Sequence, residues 1–181
     1  MARKSTFSGG GGILNNSDGK ITEIQFTTET PFPNEGGYLY GAVTVDEDSR
    51  DTPTTQFLFA GGTEDEFTAT PDGRGLIPAT VGRKLGRGTA FADFIGSIDA
   101  TDHPGTLGDD EDVLDYTPII GTRGRFMQQP LDAAELDKLA KKGRPTVRKD
   151  KNDPKKSYPL TKTVMSQFYG MEAVAPVAKA G

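Results

Sequence analysis

The chain has no cysteine, no tryptophan and one histidine, and its apolar content of 34% is low. Each shortage removes a class of function. Without cysteine there are no disulfides, no thiolate metal sites and no Cys–His nucleophile. With one histidine, any Ser-His-Asp site would have to use His103 in the turn Asp102-His103-Pro104. The plainer reading is a solvated loop histidine, so no catalytic residue and no enzyme activity is expected. No apolar run approaches the roughly 18 residues needed to span a bilayer. The start, Met1-Ala2-Arg3-Lys4, has no apolar stretch behind it, so neither membrane attachment nor a signal peptide is expected. An intracellular location follows as the default.

Glycine and proline are abundant, at 23 and 12 of 181 residues. That balance predicts short strands joined by turns, not a helical bundle. The length fits one domain with an arm or tail and can bury a core without cross-links. The net charge of −5 argues weakly against a polyanion partner, but its distribution argues the other way. From Lys138 to Lys162 ten Lys/Arg stand against Asp150 and Asp153, about +8, which leaves about −13 on the remainder.

Residues 1–19, with Gly9-Gly10-Gly11-Gly12, read as a flexible arm. Alternating patterns then predict strands over 20–30, 37–45 and 54–60. A hairpin over 64–78 turns at Pro71-Asp72-Gly73. The spacing of Phe91, Phe94, Ile95 and Ile98 predicts a helix over 89–100. Further strands are expected over 118–129 and 160–169, with helical character over 131–142 and a mobile, proline-punctuated basic loop after it. Residues 171–181 read as a tail. The expected fold is mainly β, an OB-fold-like five-stranded antiparallel Greek-key barrel over 20–170. One helix is expected between strands 3 and 4, and a long basic loop (138–158) between strands 4 and 5. A β-sandwich is the alternative.

Several stretches are candidates for chemistry. Asp109-Asp110-Glu111-Asp112 lacks the glycine and terminal glutamate of a calcium loop, so a solvated acidic loop is expected and no metal or cofactor. Gly82-Arg83-Lys84-Leu85-Gly86-Arg87-Gly88 lacks the ending of a P-loop. Its amides and the side chains of Arg83, Lys84 and Arg87 still suit a phosphate backbone. Tyr38 and Tyr40 share one strand face, as do Phe57 and Phe59 on the next strand and Arg123 and Arg125 on a later one. Single-strand binding needs planar rings for base stacking and cations along the phosphates, which these pairs supply. Arg148, Lys149, Lys151, Lys155, Lys156 and Tyr158 would form a basic clamp.

In this arrangement the chain resembles phage-encoded single-stranded DNA-binding proteins of the OB-fold type. The similarity runs through Tyr38-Leu39-Tyr40-Gly41, Gln56-Phe57-Leu58-Phe59-Ala60-Gly61, the segment from Gly88 to Ile95, Ile120-Gly121-Thr122-Arg123-Gly124-Arg125-Phe126 and Phe168-Tyr169-Gly170. The resemblance implies protection of single-stranded DNA during phage replication or recombination, in the host cytoplasm. Single-stranded DNA would be the partner, with self-association and replication or recombination proteins as further ones. The ending Ala178-Lys179-Ala180-Gly181 departs from the acidic tip of bacterial proteins of this function. A virion structural or assembly protein is the alternative, and a metal-dependent nuclease a third class.

Overall fold

The computed structural model describes residues 10–11, 14–105, 107–108, 112–150 and 152–174. Most of the arm, residues 109–111 of the acidic run, Lys151 and residues 175–181 of the tail lie outside them. In chain order the strands are β1 (Gly10–Gly11), β2 (Ser17–Thr27), β3 (Tyr38–Glu47), β4 (Thr54–Thr63), β5 (Phe67–Ala69) and β6 (Gly75–Pro78). Then come helix α1 (Ala90–Asp99), β7 (Leu114–Asp115), a 3-10 turn (Thr117–Ile119), β8 (Thr122–Pro130), helix α2 (Ala133–Lys141), β9 (Val147–Lys149), β10 (Ser157–Pro159) and β11 (Thr161–Met171).

The protein is mainly β and is built on a five-stranded antiparallel sheet in the order β4-β3-β2-β8-β11. β1 extends it by pairing in parallel with β4 at Thr54 and Thr55. β2, β3 and β4 form a meander, and β8 returns after a long connection to lie beside β2. The two outer strands of the antiparallel set, β4 and β11, are joined by a side-chain hydrogen bond from Gln56 to Thr163. A small sheet, β5-β6-β7, sits against β2 through the Phe26 amide to the Gly73 carbonyl and a two-pronged Arg74–Glu23 pair at 2.8 and 2.9 Å.

Counted along the chain, α1 falls between β6 and β7, not between the third and fourth strands. The expectation left the hairpin that follows β4 out of the count. The basic segment also differs from the loop expected of it. Its start is the last turn of α2, and β9 and β10 pair as a hairpin with Arg148 opposite Tyr158. Asp150 explains the hairpin: its carboxylate accepts from the Asn152 and Asp153 amides and from the Tyr158 hydroxyl, and its amide donates to the Lys156 carbonyl. A short carboxylate that bonds the backbone two and three residues on organises a turn in this way.

α1 begins at Thr89, whose hydroxyl accepts from the Ala92 amide as an N-cap. Its stripe of Phe91, Phe94, Ile95 and Ile98 is buried against the sheet. Each such side chain contributes about 1.5–3 kcal/mol through removal from water. Phe91 meets Phe26 edge-on at 5.2 Å and Tyr116 at 5.0 Å, and Phe94 stacks on Phe126 at 6.1 Å. Close approach of α1 requires Gly41, where an added Cβ would lie 2.6 Å from the Phe91 ring. The core therefore lies between α1 and the inner sheet face. The alternate residues of β3 and β4 are turned outward.

Candidate functional site

Those outward residues form an aromatic surface. Tyr38 and Tyr40 each meet Phe59 at 5.5 Å, and Phe32 meets Tyr40 at 5.2 Å and Phe57 at 6.3 Å, all steeply tilted. Edge-to-face packing of this kind fixes the rings by setting the edge of one on a face of the next. Tyr38 and Phe32 remain 43% and 42% exposed. Burial raises the Tyr40 phenol above its ordinary pKa. The loop that carries Phe32 is pinned by Asn34, whose amide nitrogen donates to the Thr28 and Tyr38 carbonyls and whose side-chain oxygen accepts from the Tyr38 amide.

Tyr38, Tyr40 and Phe59 form one wall of a cleft of about 640 Å³. The rest of the lining is Pro33 to Gly36, with the carboxylate Glu35 among them, then Gly61, Gly86 to Thr89 just ahead of α1, and Lys142 and Arg144 at the end of α2. Gly61 makes this closeness possible: it has φ +86, and a Cβ there would lie 3.0 Å from the Thr89 methyl. Arg87, Lys142 and Arg144 all line the cleft, and none forms an ion pair among the described residues. Rings and cations without an ion-pair partner among the described residues thus line one cleft, with Glu35 as its carboxylate.

The remaining sequence candidates distribute differently. Arg123 and Arg125 do share an outward face, but carboxylates already hold them. The Nε and Nη2 of Arg125 donate to Asp18 at 2.9 and 3.0 Å, and its Nη1 to Asn16 at 2.9 Å. Arg123 donates to Asp48 at 2.6 Å and has Glu172 at 3.8 Å. These hydrogen bonds raise the pKa of both guanidinium groups, and the Arg125 bond holds the Asp18 carboxyl below its ordinary value. Nor do they adjoin the rings. Tyr40 pairs with Thr27 of β2 and Arg123 with Lys20, seven residues apart and so about 23 Å along the strand.

Arg83 is paired with Glu66 and lies over the Phe67 ring, away from the cleft lining. Lys84 is exposed in the same segment. In the hairpin, Arg148 lies 5.9 Å from the Tyr158 ring, while Lys149, Lys155 and Lys156 are exposed. Lys151 is outside the described residues. Sequence reasoning missed Phe32, Lys142 and Arg144 as members of one site. The two cations stood in the basic run, but nothing in their spacing linked them to strands a hundred residues earlier.

His103 has both ring nitrogens occupied. Nδ1 accepts from the Gly105 amide at 3.1 Å, which leaves the proton on Nε2 to donate to the Thr122 hydroxyl at 2.9 Å. Among the described residues no group of three His, Asp or Glu side chains is arranged to hold a metal ion. No helix among the described residues is long and apolar enough to cross a membrane. Comparison of the chain with family models, with curated proteins and with solved structures finds no match.

Proposed function

We propose that this protein binds single-stranded DNA without sequence specificity, on an OB-type Greek-key scaffold. The observation that carries the reading is the cleft, where Tyr38, Tyr40 and Phe59 stand opposite Arg87, Lys142 and Arg144. Rings accept any base by stacking, and cations follow the phosphates. A duplex hides its base faces, so an aromatic wall favours unpaired strands. The strand order supports the scaffold: a meander, a helix packed beneath it, then a strand returning beside the first and a last strand beside that. The basic hairpin would extend the phosphate track beyond the cleft. Replication or recombination of phage DNA in the host cytoplasm is the setting that this activity fits.

Titration of labelled oligo-dT at two salt concentrations tests the proposal. Affinity should fall steeply with salt, and tyrosine emission, free of tryptophan background, should be quenched on binding. Absence of binding at low salt would end this reading.

A further inference from the structure

α2 leads into two of the cleft's three cations, Lys142 and Arg144, but has little to hold it in place. None of its nine residues is buried. Between it and the first turn of α1 lies a second cleft of about 700 Å³, which shares Arg87, Gly88 and Lys142 with the aromatic one. The space under the helix is therefore not filled by packing. Just ahead of the two elements the Leu131 amide donates to the Leu160 carbonyl at 3.0 Å, and from β11 itself the Lys162 ammonium donates to both oxygens of Glu135, at 2.9 and 3.1 Å. The pair is mostly shielded, with side chains 21% and 27% exposed. Asp93 and Asp132 also face Lys162 and add to its field.

We infer that Glu135 and Lys162 are positioning residues: their ion pair sets the distance of Lys142 and Arg144 from the aromatic wall. This rests on the reading of the cleft as a single-strand site. Glu135 is the third residue of α2 and Lys142 its C-cap, so a tilt at the pair is carried along the helix to the two cations. Glu135 itself is one side of a capping box with Asp132. Glutamine keeps that box, so Glu135→Gln removes the ion pair alone.

The sign of the effect separates this role from a bystander's. Loss of a carboxylate near a polyanion site should tighten binding by charge alone. A lost positioning pair should instead weaken oligo-dT binding by about three- to fivefold, the range of a modest ion pair. The slope of log affinity against log salt should fall by about 1.4 as two phosphate contacts drop out. Binding of Glu135→Gln that is unchanged or tighter overturns the inference.

A second measurement needs no DNA. The chain has no cysteine, so spin labels at Gly86→Cys and Ala140→Cys report the α1–α2 separation directly. A Cβ at Gly86 meets open space, and Ala140 is exposed. The distance distribution should be narrow in the parent and broader in Glu135→Gln. An unchanged distribution overturns the positioning role, whereas wild-type protein that fails to bind oligo-dT overturns only the reading of the cleft.

Discussion

Two regions of this protein display arginine and lysine on outward faces, and they are in opposite states. On β8, Arg125 lies directly across the ladder from Asp18 and has Nε, Nη1 and Nη2 all engaged, while Arg123 is held by Asp48. At the cleft rim, Arg87, Lys142 and Arg144 have no ion-pair partner among the described residues and stand opposite three rings. A guanidinium already forked onto a carboxylate must break that pair before it can bind phosphate. The β8 arginines therefore act as cross-strand ties, and the rim cations are the ones available to a ligand. Density of positive charge in a sequence does not separate the two.

The largest expected effect breaks the aromatic side of the comparison. Tyr38→Ala should weaken single-strand binding by about 1–3 kcal/mol for the lost stack, with the melting temperature nearly unchanged because the ring is exposed. An anisotropy titration beside a thermal melt checks both halves. Next, the triple variant Arg87→Ala/Lys142→Ala/Arg144→Ala should reduce the salt slope by about 2, from three phosphate contacts. Arg125→Gln should leave that slope where it is; an equal loss in Arg125→Gln would erase the distinction between the two regions.

Stability should respond in the reverse order. Arg125→Gln should lower the melting temperature by removing the two-pronged bond to Asp18 on β2 and leaving that carboxylate with the Tyr169 hydroxyl, whereas the triple rim variant should melt like the parent. The smallest effect is in the pH dependence. The Arg125 hydrogen bond lowers the Asp18 pKa from 3.8. A depressed carboxylate contributes its stability in full above the unfolded value and loses it as pH falls through the folded one. Acid unfolding below about pH 4 should thus be shallower in Arg125→Gln than in the parent, as followed by circular dichroism.

Much of the scaffold was legible because it depends on period alone. Phe91, Phe94, Ile95 and Ile98 recur at helical spacing, and all four are buried. Leu39 and Leu58 alternate with Tyr40 and Phe59, and the former pair is inside. Pro71-Asp72-Gly73 turns the β5–β6 hairpin, with Gly73 at φ +75. The site was legible only in pieces. Tyr38, Tyr40 and Phe59 were singled out by their strand faces, and Arg87 by its glycine-rich segment. Arg123 and Arg125 carried the same local signal as a binding pair, and only the pairing of β2 with β8 set Asp18 against Arg125.

The sequence by itself determined the mainly β character, the buried stripe of α1, the outward turn of the aromatic pairs and the concentration of positive charge before the last strand. These follow from side-chain period and composition, which act over a few residues. The tertiary structure alone decided which cations meet the rings and which are neutralised. Lys142 and Tyr38 line one cleft although a hundred residues separate them, and Arg125 is held by Asp18 because the return strand lies beside the first. Ion pairs between residues a hundred positions apart depend on strand order and register, and no local pattern encodes those.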